Sequence, residues 1–210
     1  MHYNHISGQR FGRIEALSDG VFAIAMTILV FNLQFAKDHP SLTDDEMWAE
    51  LKSMAPGFLS FFLSFLTLGI FWIGHSTQFH FITKSDRKMS WISIFFLMFV
   101  SLLPFTSDVL SHHIENRFSI ALYWLNILVM GVMLYVHWGY AERKGLLSGE
   151  SLQEATRAIK RRIIIAQSLY ALGALMCFVN TYLSLFFIVA VQLNYAFGII
   201  ASKHKHHAHR

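Results

Sequence analysis

The sequence predicts an all-α membrane protein with six transmembrane helices, and three observations support that prediction. The first is composition: 54% of residues are hydrophobic, 15% are aromatic and only 14% are charged, against about 25% charged in a typical soluble domain. The second is a set of six long apolar stretches, and the third is the uneven placement of basic residues between them. A soluble domain of 210 residues cannot bury so many large apolar side chains, so a lipid-facing surface is expected.

Six windows are apolar over the roughly 20 residues that a helix needs to cross the hydrocarbon layer. In chain order they are 17–35, 58–78, 91–110, 118–140, 163–179 and 182–201, which gives a single six-helix domain over residues 1–210. Only Asn180 and Thr181 separate the last two windows, so a tight hairpin is expected there. The alternative for any one window is a re-entrant or interfacial segment.

The two longest connections have helical features of their own. In the first, residues 41–46 predict a capped start to a short amphipathic helix that continues through Met47, Trp48 and Leu51. In the second, the polar residues 151–162 predict a helix that extends the fifth span beyond the membrane.

Basic residues predict that both chain ends lie in the cytoplasm. With the N-terminus inside, the inner segments hold 14 Lys and Arg residues, and the outer segments hold three, Lys37, Lys52 and Arg117. Lys and Arg accumulate on the cytoplasmic side of membrane proteins. We therefore expect a multi-pass protein of the cell membrane with cytoplasmic N- and C-termini.

The first span differs from the others because polar and small residues interrupt it. Small residues let helices approach closely, and a buried carboxylate or hydroxyl requires a partner, so this helix is expected inside an assembly. At about 100° per residue, one stripe of its surface is formed by Gly20, Ile24, Thr27, Ile28 and Phe31. Packing of this stripe against other helices is the simpler interpretation of the pattern alone.

The second span offers partners for the polar groups of the first. Trp72 and His75 are three residues apart, so they share a helix face. A hydrogen-bond network of Ser18 and Asp19 with His75 and Trp72 would join the two helices. Proton sensing by His75 is the alternative to this structural role.

The start of the first span resembles the RxxxFSD signature of the lysosomal potassium channel family called transmembrane protein 175, in its prokaryotic form. The resemblance runs from Arg13 to Thr27 and includes Leu17, Ser18 and Asp19. The Trp72-x-x-His75 pair is similar to that family's pattern on the second helix. The chain departs from the signature at Leu17, where the family usually has Phe.

The resemblance implies a potassium-favouring cation channel without a TVGYG filter, assembled as a homotetramer around the first helix in a lipid bilayer. It implies that Ile24 forms the main pore constriction, Thr27 a polar ring one turn outward, and Ile28 and Phe31 the next pore-facing positions. Arg13, Ser18 and Asp19 match the signature network, together with Trp72 and His75. No enzyme activity, cofactor, resident metal or nucleic-acid partner is expected.

Two other functions are alternatives to a channel. A histidine-ligated membrane redox enzyme would use residues such as His75, His80, His112, His113 and His137, but the predicted topology places His112 and His113 on the opposite side from His75 and His80. A secondary transporter would show an internal repeat and broken helices, and no convincing repeat is present. The His-rich residues 203–210 could bind a metal or anionic lipid, or form a solvated end.

Overall fold

Helices account for most of the residues that the computed structural model describes, which are 11–33 and 43–197. The α-helices in these ranges are α1 (Phe11–Ile28), α2 (Asp44–Ser53), α3 (Ala55–Phe81), α4 (Arg87–His112), α5 (Arg117–Arg143), α6 (Leu152–Leu175) and α7 (Thr181–Phe197). Two 3₁₀ turns, Leu29–Asn32 and Met176–Phe178, continue α1 and α6. The all-α prediction is confirmed for the described residues.

Five helical stretches are long and apolar enough to cross a membrane: Gly12–Asn32, Ala55–Phe81, Arg87–His112, Arg117–Arg143 and Leu152–Phe178. They coincide with the first five predicted windows, although residues 34 and 35 of the first window lie outside the described residues. The sixth window corresponds to α7, a shorter apolar helix of 17 residues. Residues 198–201 of that window lie outside the described residues, so a sixth crossing stays a prediction.

The short helix α2 begins with the capping arrangement that its sequence predicts. Thr43 is the N-cap, and its side chain accepts a hydrogen bond from the backbone N–H of Glu46. The Glu46 carboxylate accepts in return from the backbone N–H of Thr43 at 2.8 Å. The apolar side chains of Met47 and Trp48 are exposed, so α2 presents them outward.

Apolar packing between α4 and α5 forms the centre of the bundle. Val100 and Leu103 of α4 and Ile120 and Met130 of α5 are fully buried. Helix α1 packs mainly against α4 and α3, and α7 packs against α6 and α3. This arrangement holds one side of α1 against the bundle.

Buried hydroxyl groups join α3 to its neighbours near the α4–α5 turn. The Ser64 hydroxyl donates to Oγ of Ser107 at 2.8 Å, and the hydroxyls of Thr67 and Tyr123 lie 3.0 Å apart. Nε2 of Gln192 donates to Oγ1 of Thr67 at 2.6 Å and so ties α7 to α3. Because an apolar interior offers no water as a partner, the hydroxyls satisfy one another, whereas Oε1 of Gln192 has no hydrogen-bond partner among the described residues.

The expected tight hairpin joins α6 to α7. The Asn180 side chain accepts from the backbone N–H groups of Tyr182 and Leu183, at 2.9 and 3.1 Å, and so caps α7. Further along, the Ser184 hydroxyl donates to the backbone carbonyl of Gly173 at 2.6 Å. The absence of a side chain on Gly173 permits this close approach.

Candidate functional site

Helix α1 has one face buried in the bundle and one face exposed. Phe22, Ala25 and Leu29 recur at helical spacing and are at most 3% exposed, because they pack against α3 and α4. On the other side, Ile24 is 60% exposed and Phe31 is 67% exposed. A single chain therefore leaves one face of α1 uncovered.

All five residues that the sequence places on one stripe lie on this exposed face: Gly20, Ile24, Thr27, Ile28 and Phe31. We call them the α1 stripe. Its side chains are aliphatic or aromatic except for one hydroxyl, and it has no charged group. Several copies of such a stripe around one axis would form stacked apolar rings with one polar ring between them.

The hydroxyl of Thr27 is held in a defined orientation. Its Oγ1 donates to the backbone carbonyl of Ile24 at 2.9 Å. Since the proton points back along the helix, the lone pairs of the oxygen remain available as acceptors. An oxygen acceptor in an apolar surround suits a cation rather than an anion.

The regular α-helix ends before the stripe does, which changes the outer part of the expected geometry. The expected stripe assumes α-helical spacing through Phe31, but a 3₁₀ turn begins at Leu29. With 3.0 residues per turn, side chains at i and i+3 eclipse, so Phe31 lies in line with Ile28. Both are exposed on the same face.

Two side-chain hydrogen bonds fix the ends of this helical segment to the bundle. Near its start, Nε1 of Trp72 on α3 donates to Oδ1 of Asp19 at 2.9 Å. At its end, Nδ2 of Asn32 donates to the backbone carbonyl of Pro104 on α4 at 3.2 Å. The α1 stripe is therefore held between two anchored ends.

The other signature residues do not all join this network. The Asp19–His75 hydrogen bond expected from the sequence is not formed, because His75 is 1% exposed and turns into the bundle while Trp72 stays at its edge. Oγ of Ser18 and Nε2 of His75 are buried without a hydrogen-bond partner among the described residues. Arg13 is exposed.

His75 instead lies beside a second buried histidine on α5. The rings of His75 and His137 have centroids 5.1 Å apart. Nδ1 of His137 lies 2.8 Å from Oε1 of Gln78, whose Nε2 donates to the carbonyl of Leu134 at 3.0 Å. Because Oε1 can only accept, Nδ1 of His137 carries the proton. Nε2 of His137 lies 3.2 Å from Oγ of Ser93.

The remaining histidines considered as metal ligands are widely separated. His80 lies edge-on to Phe81, whereas His112 and His113 lie at the far end of α4. Within residues 11–33 and 43–197, no three His, Cys, Asp or Glu side chains group as a metal site. Residues 203–210, the His-rich segment, lie outside the described residues.

Comparison with known proteins identifies the family. The family model described as endosomal/lysosomal potassium channel TMEM175 matches residues 13–104, which contain the α1 stripe and the Asp19–Trp72 contact. A potassium channel of Streptomyces collinus is 31% identical over 193 residues, which cover 89% of this chain and 92% of that protein. The chain belongs to the TMEM175 family.

A solved structure also matches this TMEM175 chain. The crystal structure of a lysosomal potassium-selective channel TMEM175 homologue from Chamaesiphon minutus is 25% identical, with a TM-score of 0.78. The match covers 89% of this chain and 96% of that one. Taken with the apolar helices, family membership means that the chain is embedded in a membrane.

The match to the human relative covers a shorter region. The human endosomal/lysosomal proton channel TMEM175 is 36% identical over 97 residues, which is 44% of this chain but only 19% of that protein. Bacterial and animal members thus bear names that refer to different ions.

Two features of the site were missed by reasoning from the sequence. The His137–Gln78 pair was missed because each residue is a lone polar group on an apolar helix. The Asn32–Pro104 bond was missed because the partner is a backbone carbonyl, which no side-chain pattern reveals. The hydroxyl contacts of α3 could have been predicted from the sequence, because Ser60, Ser64 and Thr67 recur at helical spacing.

Proposed function

We propose that this chain is one subunit of a potassium-selective cation channel in which four copies surround a pore lined by α1. The observation that carries the proposal is the exposed α1 stripe. Ile24 on this stripe is 60% exposed, whereas Phe22 on the opposite face of the same helix is 1% exposed. One chain supplies one such stripe, so a closed ring requires several copies related by rotational symmetry.

In this pore, apolar side chains control wetting. A ring of Ile24 side chains forms the main constriction, and a sufficiently narrow apolar ring excludes water and ions until it widens. The Thr27 hydroxyls form a polar ring one turn outward, where their free lone pairs can contact a potassium ion. Ile28 and Phe31, aligned by the 3₁₀ turn, form the outer part of the pathway.

The names of relatives support a channel activity. The relatives from Streptomyces collinus and Chamaesiphon minutus are named potassium channels, and animal relatives are named proton channels. A test of the proposed function therefore measures potassium, sodium and proton permeation together. The chain is proposed to be a channel and not an enzyme.

The decisive experiment is a bi-ionic reversal-potential measurement on purified protein in planar bilayers. With potassium on one side and sodium on the other, the current should show discrete steps. Its reversal potential should be shifted from zero with the sign expected when potassium permeates more easily than sodium. A pH gradient at equal potassium shows whether protons also pass. Absence of current above that of protein-free bilayers would refute the channel, and flux without discrete steps would favour a transporter.

The proposed topology has six crossings with both ends in the cytoplasm of the cell. Its support is the distribution of Lys and Arg, 14 inside against three outside. After replacement of Cys177, a membrane-impermeant maleimide should label His113→Cys on intact cells and label Glu150→Cys only after permeabilisation. The reverse labelling pattern would invert the orientation.

A further inference from the structure

A cavity of about 240 Å³ lies between α3, α5, α6 and α7, on a part of the bundle that α1 does not line. Its floor is formed by the buried side chains of Phe71, Leu134 and Tyr170. At its rim, Ile73 is 52% exposed and Thr77 is also exposed, so the cavity opens to the side of the bundle.

Small residues keep this space open. Gly74, Gly131 and Ala166 line it, and the Gln167 side chain crosses directly over Gly131. A Cβ atom on Gly131 would lie 1.9 Å from Nε2 of Gln167, so any larger residue there would push Gln167 aside. Because the cavity opens to the side of the bundle and its floor is apolar, an apolar chain from the surrounding bilayer can enter it.

The rim of the cavity carries one cationic group, Arg162 on α6. Its guanidinium lies over the ring of Tyr195, 5.5 Å from the centroid. No carboxylate forms a salt bridge with Arg162 in the part of the chain that the structure describes, whereas the nearby Lys160 is paired with Glu142. At the cytoplasmic end of a membrane helix, a basic side chain without a carboxylate partner attracts the anionic head groups of lipids.

A buried acceptor adds a second polar feature. Oε1 of Gln167 is buried and has no hydrogen-bond partner among the described residues, although Nε2 of the same amide donates to the carbonyl of Ile127. The cavity thus has an apolar floor, one buried acceptor and a cation at its mouth. The apolar floor and the cation suit an amphipathic anion, whereas the Gln167 acceptor suits a hydroxyl donor on the same ligand.

We propose that this cavity binds an acidic phospholipid, with one acyl chain between α5 and α6 and the phosphate on Arg162. A guanidinium recognises a phosphate through two parallel hydrogen bonds, and basic pockets between membrane helices bind anionic head groups. Arg157 and Arg161 lie on the same end of α6 and raise the local concentration of acidic lipid. The proposal does not depend on ion permeation.

The test uses the full-length protein in nanodiscs of phosphatidylcholine that contain a trace of phosphatidylglycerol with a photoreactive acyl chain. Cross-linked peptides are mapped by mass spectrometry. Cross-links should fall on peptides of α5 and α6 that line the cavity, and excess unlabelled phosphatidylglycerol should compete whereas phosphatidylcholine should not. Cross-links spread evenly over lipid-facing peptides would overturn the proposal.

Variants separate the cavity from general attraction to a basic helix. Arg162→Gln should lower the cross-linking yield about fivefold, and Arg161→Gln, an exposed neighbour that does not line the cavity, should have a smaller effect. Ala166→Phe should fill the cavity and abolish the cross-links. Equal losses in the two arginine variants would overturn the proposal.

A second copy of the chain is the other possible occupant. A photoreactive benzoylphenylalanine at Ile73 should cross-link to lipid and leave the chain monomeric on a denaturing gel. A dimer-sized product would place a neighbouring subunit at the cavity and overturn the proposal.

Discussion

Trp72 donates a hydrogen bond from its indole Nε1 to Oδ1 of Asp19 at 2.9 Å, and this contact joins α1 to α3. The acceptor is a carboxylate, and charge-assisted hydrogen bonds are stronger than neutral ones. Trp72 is 41% exposed, so the contact lies at the edge of the bundle and not in its core. It positions the start of the helix that carries the α1 stripe.

Loss of this hydrogen bond should weaken the attachment of α1. Trp72→Phe keeps an aromatic ring but removes the donor. It should cost about 0.6 kcal/mol, the average for hydrogen bonds between membrane helices, and at most about 1.7 kcal/mol. Thermal unfolding in detergent measures the change. Trp91→Phe is the matched control because Trp91 is 50% exposed and contacts only a neighbouring ring on its own helix among the interactions described. Equal melting temperatures for the two variants would contradict the structural role.

A polar residue at the proposed constriction should increase the potassium current. Ile24→Asn places an amide on the exposed face of α1, which lowers the cost of wetting a narrow apolar ring. Ile24→Leu keeps the ring apolar and should leave the current near that of the unsubstituted chain. Planar-bilayer recordings at equal protein density compare the variants. An unchanged Ile24→Asn current would place the gate elsewhere.

The hydroxyl of Thr27 should contribute to discrimination between potassium and sodium. Thr27→Ala and Thr27→Val remove the oxygen whose lone pairs face outward, and should move the bi-ionic reversal potential toward zero. Thr27→Ser retains both the oxygen and the bond to the carbonyl of Ile24, so its reversal potential should be unchanged. If Thr27→Val discriminates as well as Thr27→Ser, the hydroxyl has no role in selectivity.

The sequence predicted the helices well because hydropathy over about 20 residues is a local property. It also predicted the α1 stripe, since the angular position of a side chain follows from helical spacing. The exposure of Ile24 and Phe31 agrees with that reasoning, although the 3₁₀ turn from Leu29 altered the outer alignment.

Contacts between helices were less predictable. Trp72 and His75 share a face by spacing, but they diverge by about 60° around the helix axis. That difference is enough to direct Trp72 to Asp19 and His75 toward His137 on α5. Which of two neighbouring helices receives a side chain depends on how the helices pack, and spacing within one helix cannot supply that information.

Close packing at the α6–α7 hairpin gives the last prediction. A Cβ atom on Gly173 would lie 2.8 Å from Cγ1 of Ile188 and 3.1 Å from Cδ1 of Phe187. Ile188 is 1% exposed and has little room to move, so Gly173→Ala should force α7 away and cost about 1–3 kcal/mol. The same shift would strain the Ser184 bond to the Gly173 carbonyl.

Gly69→Ala is the matched control, because a Cβ atom there meets nothing within 4 Å. Alanine favours a helix over glycine by up to about 1 kcal/mol, so this variant should melt at the same temperature or higher. Thermal unfolding of both variants in the same detergent decides the comparison. If Gly173→Ala melts no lower than Gly69→Ala, α7 does not pack on α6 as closely as the structure has it.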